Sequence, residues 1–374
     1  MKVPFVDLKT QYNSIRDEVR AAIDDVLENT AYVLGKHVVN FEKEFAKMHG
    51  VKHCYGLSSG TDGNHSVLWA LGIVSGDEVI IPANTFIATA WGATLCGATP
   101  VFVDCHPESY NIDPDKVEAA ITPRTKAIAA VHLYGQPADI DRLKEIADRH
   151  NIFLVEDCAQ AHLSEYRGKR VGGLSTASSF SFYPGKNLGA YGEAGAVCTN
   201  SDELAQKFKM IRDHGSHEKY IHYSYGHNYR MEAIQGAVLE TKLNHINKWT
   251  EQRRNAAKLY SKHLAEFSEV ILPVEMEYAK HVYHLYVIRL GSTDTRNKLQ
   301  AFLSENGVAT GLHYPVPLHV QPCFSALGYK KDDMPVTENL AECGLSLPMF
   351  PDLTEEQIEY TASTIKKFFM HRQD

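Results

Sequence analysis

Short apolar runs alternate with longer, helix-like segments over the first two thirds of the chain, and this alternation limits the possible folds more than any other feature. Most runs are continuous and rich in Val, Ile and Phe, which is typical of strands buried on both faces. The predicted strands are Glu78 to Pro82, Thr99 to Asp104, Ala127 to Leu133, Phe153 to Glu156, Ser178 to Phe182 and Ala196 to Thr199. Helical patterns lie between them, such as Pro137 to His150, where Ile140 and Leu143 begin a helical repeat. The alternation predicts an α/β layer built on a mostly parallel sheet.

The sequence changes character near Leu243. The predicted elements beyond it are a charged helix (Asn247 to Phe267), a strand (Val282 to Leu290), a helix (Thr295 to Asn306), a Pro-rich loop (Tyr314 to Pro322) and a closing helix (Thr354 to Met370). Single hydrophobic cores stop growing at roughly 250 to 300 residues, so a chain of 374 residues is expected to form two parts. We predict a large domain at residues 1–243 and a smaller α+β domain at residues 244–374. No Ser- or Gly-rich linker separates them, so we expect direct packing.

Charge and cysteine content limit the binding partners and the cellular compartment that we expect for the chain. Its 38 Lys and Arg residues against 46 Asp and Glu give a net charge of −8, which argues against non-specific binding to nucleic acid. The longest apolar stretches are far shorter than the roughly 18 residues that cross a membrane, and charged residues interrupt the N-terminus before a leader forms. The seven cysteines include no C-x-x-C pair, so neither a disulfide framework nor a zinc site is expected. We predict a cytoplasmic protein.

Several common catalytic motifs are missing from the sequence. No G-x-G-x-x-G follows a predicted strand, and neither a P-loop nor a G-x-S-x-G nucleophile elbow is present. His217 and His222 are one residue too far apart for the two histidines of a zinc helix. The sequence therefore gives no support to an NAD-dependent, ATP-hydrolysing, metalloprotease or serine-hydrolase function, and no metal site is predicted.

One short segment suits a phosphate. Ser58 to Gly63 is a small, Gly-rich turn that leads into a predicted helix. A helix N-terminus presents free N–H groups and the positive end of the helix dipole, and both favour an anion. The same residues would also serve as an ordinary capped helix start, so this segment does not decide between the two interpretations.

Two further segments follow predicted strands. Asp157 ends an apolar strand at the edge where ligands of open α/β sheets gather, and a buried carboxylate there needs a cationic or N–H partner. It could equally cap a helix. Lys186 follows a strand and precedes the Gly-rich run Gly189 to Gly195, where backbone can approach a ligand closely. A desolvated lysine can lose its proton and form a Schiff base, although a loop lysine can also be simply solvated.

A fourth segment, Gly226 to Met231, precedes a helix predicted to begin near Glu232. Its polar residues Asn228 and Arg230 can be read either as ligand contacts or as surface groups. The segment gains meaning only in combination with the other three.

Together the four segments resemble the DegT-type nucleotide-sugar aminotransferases. The matched motifs are, in order, Gly-Thr-Asp (60–62), Glu-Asp-Cys-Ala-Gln-Ala-His (156–162), Phe-Ser-Phe-Tyr-Pro-Gly-Lys-Asn (180–187) and Asn-Tyr-Arg-Met (228–231). The resemblance runs from Val3 to Pro351, which is nearly the whole chain. It implies the aspartate aminotransferase fold (fold type I), with a mostly parallel seven-stranded sheet between helices in the large domain and pyridoxal 5′-phosphate (PLP) as cofactor.

The resemblance also implies which residues would hold the cofactor ring. Lys186 would be the catalytic lysine that binds PLP through a Schiff base. Asp157 would pair with the pyridinium nitrogen and keep it protonated, so that the ring acts as an electron sink. Gln160 would hydrogen-bond the ring hydroxyl oxygen, and Phe86 would stack on the ring face.

The phosphate contacts implied by the resemblance involve two chains. Gly60, Thr61 and Ser181 would hold the cofactor phosphate through backbone and side-chain donors. Asn228 would reach the same phosphate from the neighbouring subunit. The expected assembly is therefore an obligate homodimer with shared active sites.

The implied reaction moves an amino group in two half-reactions. L-glutamate converts PLP to pyridoxamine phosphate and leaves as 2-oxoglutarate, and the amino group then passes to a keto sugar carried on a nucleoside diphosphate. The loop from His313 to His319 resembles the branch that aminates C-3 of 6-deoxyhexoses on a dTDP carrier. The expected substrate contacts are Tyr183, His313, Tyr314 and His319. Alternatively, the prolines serve only to stiffen a loop that packs the small domain on the large one, and this would explain the same sequence.

The chain departs from the family pattern at a few positions. Gly63-Asn64 stands where many relatives have Ala-Leu, Leu163 where Gly is usual, and Glu193-Ala194 where Asp-Gly is usual. We expect these changes to affect loop conformation rather than cofactor chemistry. Relatives that act as dehydratases carry histidine in place of the lysine, so Lys186 argues against that activity. A C-4 nucleotide-sugar or cyclitol aminotransferase and a non-enzymatic PLP-binding sensor are the alternatives.

Overall fold

The computed structural model describes residues 1–370, and within them lie thirteen α-helices and fifteen β-strands. The helices are α1 (Leu8–Ser14), α2 (Arg16–Glu28), α3 (Lys36–His49), α4 (Gly60–Ala70), α5 (Ala88–Leu95), α6 (Pro114–Ala120), α7 (Ile140–His150), α8 (Asp202–Ile211), α9 (Ala233–Leu243), α10 (Ile246–Leu264), α11 (Thr293–Glu305), α12 (Pro335–Cys343) and α13 (Glu355–Met370). The strands are β1 (His53–Leu57), β2 (Glu78–Pro82), β3 (Thr99–Val103), β4 (Thr125–Val131), β5 (Phe153–Asp157), β6 (Glu165–Tyr166), β7 (Lys169–Arg170), β8 (Ala177–Ser181), β9 (Gly195–Thr199), β10 (Ser216–Glu218), β11 (Ile221–His222), β12 (Val270–Ile271), β13 (Ala279–Lys280), β14 (Tyr286–Leu290) and β15 (Gly344–Leu347).

The main sheet has seven strands in the order β1-β9-β8-β5-β4-β2-β3. Strand β9 runs antiparallel to both of its neighbours, and the other pairs are parallel. The prediction of a mostly parallel seven-stranded sheet is therefore confirmed. All six predicted strands are present, with ends within two residues of the predicted ones. The seventh, β1, mixes His, Gly and Tyr with apolar residues and lies at the sheet edge, which explains why its pattern was weak.

Helices cover both faces of this sheet. Val79 and Ile81 of β2 pack into the core beneath α4 and α5, whereas Ile80 between them packs into the core beneath α6 and α7. Successive residues of a strand point to opposite faces, so a strand buried on both sides reads as a continuous apolar run. Helix α7 begins at Ile140 rather than at Pro137 because the side chain of Asp139 caps it by accepting the N–H of Arg142.

A second, antiparallel sheet of order β12-β14-β15 lies in the C-terminal part of the chain. Its core joins Tyr260 of α10 and Ile358 of α13 to Val3 from the N-terminal segment. Conversely, Leu318 and Phe324 pack into the core of the main sheet. The predicted boundary at residue 243 falls between α9 and α10 and stays a prediction, because segments from both ends of the chain pack across it.

The topology brings the ends of two strands and the start of a helix together at one edge of the main sheet. Asp157 is the last residue of β5, Ser181 is the last residue of β8, and Gly60 is the first residue of α4. Parallel strands end at a common edge, so these three residues come together although they lie far apart in the sequence. Between residues 1 and 370, no helix combines the length and the apolar character needed to span a membrane.

Candidate active site

A cavity of about 740 Å³ opens at this edge of the main sheet. Ten of the residues singled out from the sequence line it: Gly60, Thr61, Phe86, Asp157, Gln160, Ser181, Tyr183, Lys186, His313 and Tyr314. They come from the start of α4, the segment between β2 and α5, the ends of β5 and β8 with the turns that follow them, and the Pro-rich loop with the residue before it. The fold thus brings together separate segments whose individual interpretation was ambiguous.

Lys186 lies half-buried in the turn after β8 and is one of the residues that line the cavity. Its backbone N–H donates to the carbonyl of Tyr183 at 2.8 Å. Burial lowers the pKa of the Lys186 ammonium from 10.5 to about 8, and the negative charge of Asp157 offsets part of this effect. The neutral, nucleophilic amine is therefore about 300-fold more abundant at pH 7 than in a lysine with an ordinary pKa.

Asp157 is buried at the end of β5 and is held by three donors. Its Oδ1 accepts the backbone N–H of Ala159 at 3.0 Å. Its Oδ2 accepts the side-chain amide of Asn64 at 3.0 Å and the hydroxyl of Thr89 at 2.8 Å. A carboxylate offers about four lone-pair positions, so one acceptor position on Oδ1 remains for a donor in the cavity.

Gln160 is oriented by two hydrogen bonds. Its Oε1 accepts the backbone N–H of Tyr134 at 2.7 Å, and its Nε2 donates to the hydroxyl of Tyr314 at 3.0 Å. Turned over, the amide would set its Nε2 hydrogens against the N–H of Tyr134, so the bond from Tyr134 fixes its orientation. The second N–H of Nε2 remains as a donor for a ligand oxygen.

The part of the cavity at the start of α4 suits an anion. Ser59 caps α4 by accepting the N–H of Asp62 at 3.1 Å, which leaves the N–H groups of Gly60 and Thr61 without a helical acceptor. Strand β8 approaches this turn so closely that a Cβ on Gly60 would lie 2.5 Å from the Cβ of Ser181. The seryl hydroxyl and the helix N-terminus thus face the same space.

The residues present fit PLP from end to end. Lys186 supplies an amine for the aldehyde, Asp157 a free acceptor for a ring N–H, and Gln160 a free donor for the ring hydroxyl oxygen. Gly60 and Thr61 offer N–H groups to the phosphate.

The Pro-rich loop contributes aromatic walls. The ring of Tyr314 lies 5.6 Å from the ring of Phe86, whose side chain is 52% exposed toward the open space. The ring of His313 stacks on Phe5 and its Nδ1 lies 2.9 Å from the hydroxyl of Ser346. Burial, together with the charge of Lys186, lowers the pKa of His313 to about 4, so its ring is neutral near pH 7.

Two predicted site residues do not line this cavity. His319 is buried away from it, with Nε2 2.9 Å from a carboxylate oxygen of Glu338, which corrects its assignment to the substrate site. It acts in this chain as a packing residue of the loop. Asn228 pairs with Asp213 in an isolated bridge outside the cavity, so its predicted contact with the phosphate of a neighbouring subunit stays a prediction.

The structure also adds residues that sequence reasoning did not assign. The cavity is further lined by Phe5, Asn64, Thr89, Glu193 and His284. Asn64 and Glu193 were visible only as departures from the family pattern, and Phe5 only as part of the stretch from Val3 to Pro351 over which the resemblance runs. Thr89 and His284 gave no signal, because nothing in the local sequence distinguishes a polar residue that faces a ligand from one that caps a turn.

The DegT/DnrJ/EryC1/StrS aminotransferase family matches the chain over residues 13–366. The "Pleiotropic regulatory protein" of Geobacillus stearothermophilus is 47% identical over 99% of this chain and 100% of its own length. The dTDP-3-amino-3,4,6-trideoxy-alpha-D-glucose transaminase of Streptomyces venezuelae is 44% identical over 95% of this chain and 93% of its own. The UDP-N-acetyl-3-dehydro-alpha-D-glucosamine 3-aminotransferase of Acidithiobacillus ferrooxidans is 41% identical over 98% of this chain and 97% of its own.

Solved structures agree with these relatives. The crystal structure of S. venezuelae DesV in complex with a ketimine intermediate has a TM-score of 0.96 at 42% identity and covers 98% of both chains. The structure of NtdA from Bacillus subtilis with bound cofactor PMP has a TM-score of 0.89 at 33% identity, covering 98% of this chain and 85% of the other. The chain therefore belongs to the DegT/DnrJ/EryC1/StrS aminotransferase family and is a PLP-dependent sugar aminotransferase.

Proposed function

We propose that this enzyme transfers the amino group of L-glutamate to C-3 of a dTDP-linked 3-keto-6-deoxyhexose, giving a dTDP-3-amino-3,6-dideoxyhexose and 2-oxoglutarate. The observation that carries the chemistry is the half-buried Lys186, with its lowered pKa, in one cavity with Asp157. The C-3 position and the dTDP carrier draw support from the S. venezuelae transaminase, which is named for a dTDP-3-amino sugar. The A. ferrooxidans relative is named for a UDP sugar aminated at the same position. The two relatives thus agree on the position of amination and differ in the nucleotide carrier.

Lys186 moves the proton in each half-reaction. Bound PLP supplies an electron-withdrawing ring that stabilises negative charge at the substrate carbon. In the first half-reaction the Lys186 amine would take the proton from that carbon and deliver it to C4′ of the cofactor, and in the second it would carry a proton in the opposite direction. With its pKa lowered to about 8, the amine is available in both protonation states near neutral pH.

Asp157 and Gln160 hold the ring in place while the proton moves. The open acceptor position on Asp157 Oδ1 would receive the ring N–H, and the negative carboxylate would keep that nitrogen protonated. The free N–H of Gln160 fixes the ring oxygen on the other side. Both side chains are held by hydrogen bonds within the protein, so they are already in position before the ring binds.

The phosphates of a nucleoside diphosphate need cations or N–H donors, and this chain places few cationic side chains in the cavity. Among residues 1–370, Lys186 is the single lysine or arginine that lines the cavity. Arg230 forms an ion pair with Asp213 at 2.5 Å, and the lowered pKa of His313 leaves its ring neutral. The remaining positive charge for the substrate phosphates is expected from a second subunit.

The surface near Asn228 supports a homodimer. The hairpin of β10 and β11 and the loop after it expose Tyr220 and Tyr225, which are 83% and 87% accessible to solvent. Ile221 and Tyr223 of the same segment are exposed as well, and a cluster of exposed large apolar side chains is characteristic of a surface covered by another protein. In a homodimer that buries this hairpin, we expect Asn228, which follows the hairpin, to reach the cofactor phosphate of the partner, as the family resemblance implies.

A panel of keto sugars tests the proposal. Purified enzyme with PLP and L-glutamate is incubated with dTDP-3-keto-6-deoxyhexose, dTDP-4-keto-6-deoxyhexose and a UDP-3-keto sugar, and products are identified by mass spectrometry. We expect amination of the first at the highest kcat/KM. Preferred amination of the 4-keto sugar would instead assign the enzyme to the C-4 class.

A lysine variant tests the chemistry itself. Lys186→Ala should bind PLP without transaminating, because the amine that moves the proton is gone. Lys144→Ala is the matched control, since Lys144 pairs on the surface with Asp148 at 2.7 Å and lies on α7. A Lys186→Ala enzyme with wild-type turnover would remove Lys186 from the mechanism.

A regulatory function is the second candidate, because the G. stearothermophilus relative is named as a pleiotropic regulatory protein. A sensor would bind PLP and ligand without release of product. Addition of L-glutamate separates the two functions: an enzyme converts the cofactor absorbance to that of pyridoxamine phosphate and releases 2-oxoglutarate. A protein that binds PLP but whose spectrum stays unchanged with L-glutamate and with other amino acids would favour the regulatory function.

A further inference from the structure

Asn64 makes a direct hydrogen bond to the carboxylate that faces the cofactor ring. Its Nδ2 donates to Asp157 Oδ2 at 3.0 Å and also lies 3.4 Å from the carbonyl of Ala88. Its Oδ1 accepts the hydroxyl of Ser179. The amide nitrogen thus faces two acceptors and the amide oxygen faces a donor, so only one orientation of the side chain satisfies all its partners.

The backbone around Asn64 is fixed on two sides. A Cβ on Gly92 of α5 would lie 3.1 Å from the backbone of Asn64. A Cβ on Gly63 would lie 3.1 Å from the Cβ of Ser179 in β8. Helix α4 is therefore wedged between α5 and the sheet at this residue, and these close approaches leave the amide of Asn64 little freedom to move away from Asp157.

The second donor to the same oxygen is also held. Thr89 is buried, donates to Asp157 Oδ2 at 2.8 Å, and lies 3.0 Å from the hydroxyl of Thr85. With Asn64 and Thr89 both on Oδ2, this oxygen has no lone pair left for a ligand. The free acceptor is confined to Oδ1, and the plane of the carboxylate cannot rotate without breaking both bonds.

We propose that Asn64, anchored by Ser179, is a positioning residue that turns the free oxygen of Asp157 toward the ring nitrogen of the cofactor and keeps the shared proton on that nitrogen. A donor to a carboxylate stabilises its charged form and weakens its attraction for a proton. Asn64 therefore sets both the direction and the basicity of Asp157. The inference rests on the proposed role of Asp157.

The test uses purified apoenzyme and PLP. We compare the wild type with Asn64→Leu, which keeps the size of the side chain but removes the donor. The readouts are the Kd for PLP and the pH midpoint of the absorbance of bound cofactor. We expect PLP binding about five- to tenfold weaker, in line with the net contribution of one ordinary hydrogen bond.

The pH midpoint should move upward by about half a unit in Asn64→Leu. Without the Asn64 donor, Asp157 attracts the shared proton more strongly, and the ring nitrogen carries less positive charge. A less positive ring lets the nitrogen bound to Lys186 keep its proton to higher pH. A midpoint that stays within 0.2 units of the wild type (about 0.3 kcal/mol) or moves downward would overturn the inference.

Two further variants keep the result decisive. Ser179→Ala removes only the anchor, so it should shift both readouts in the same direction by a smaller amount, and it decides the question if Asn64→Leu does not fold. Asp157→Ala serves as the reference. If Asp157→Ala changes both readouts and the Asn64 and Ser179 variants change neither, the positioning role fails alone. If Asp157→Ala also leaves them unchanged, the role of Asp157 in the proposed function fails.

Discussion

Replacement of Gly60 by alanine is expected to damage the phosphate end of the cofactor site selectively. The new Cβ would lie 2.5 Å from the Cβ and 3.0 Å from the Cα of Ser181. Ordinary carbon–carbon contacts are about 3.5 to 4.0 Å, so the overlap is about 1 Å. Both Ser181 atoms are set by the backbone of β8, and no rotamer change can relieve the clash. The N-terminus of α4 must therefore move away from β8.

The size of the effect follows from this displacement. Overpacking of a tight contact costs about 1 to 3 kcal/mol of stability. The same movement carries the N–H groups of Gly60 and Thr61 away from the phosphate, and a loss of about 1.4 kcal/mol in binding corresponds to a tenfold weaker Kd. We expect a Kd for PLP at least tenfold higher in Gly60→Ala.

Fluorescence titration of the apoenzyme with PLP and with pyridoxal, which lacks the phosphate, measures this effect. Binding of pyridoxal should change less than binding of PLP, because the displaced groups contact only the phosphate. Gly291→Ala is the control, since a Cβ there has no atom within 4 Å. Equal losses for both ligands, or an unchanged Kd for PLP, would refute the assignment of this turn to the phosphate.

Three other predictions concern the lysine, the corrected histidine and the second subunit. Incorporation of PLP into apoenzyme should accelerate with pH and level off above a midpoint near 8, because Lys186 with a pKa of about 8 is neutral above that pH; a rate still rising steeply at pH 10 would contradict the lowered pKa. His319→Phe should lower the free energy of unfolding in urea by about 2 kcal/mol, through loss of the buried bond to Glu338, and leave the KM for the sugar nucleotide unchanged. Co-expression of Lys186→Ala chains with Asn228→Ala chains should yield mixed dimers with one intact site, and hence with PLP affinity and turnover at that site like the wild type. If Asn228 acts within its own chain, no site in the mixed dimer is intact.

The order of elements in the main sheet could be predicted because its strands are buried on both faces. Continuous apolar runs such as Glu78 to Pro82 mark these strands clearly, and the structure places β2 at those residues. The proximity of Lys186 and Asp157 was also predictable, since both lie in specific motifs at or shortly after the ends of strands.

Other parts of the site depend on contacts that the sequence does not encode locally. Asn64 meets Asp157 only because α4 packs between α5 and β8, and the two residues are 93 positions apart. His319 was assigned to the substrate site from its neighbours in the loop, but that loop turns its side chain inward to Glu338. Direction of a side chain in irregular structure is set by tertiary packing, which a pattern of residue types cannot supply.

The crossing of segments between the two hydrophobic cores limits how this enzyme can be recombined with its relatives. A chimera joined at residue 243 would take Leu318 and Phe324 from one parent and the main-sheet core that surrounds them from the other. It would likewise separate Val3 from the C-terminal core that it completes. Exchange of substrate preference between relatives therefore requires the N-terminal segment and the 318–334 segment to travel with the cores they fill, rather than with their neighbours along the chain.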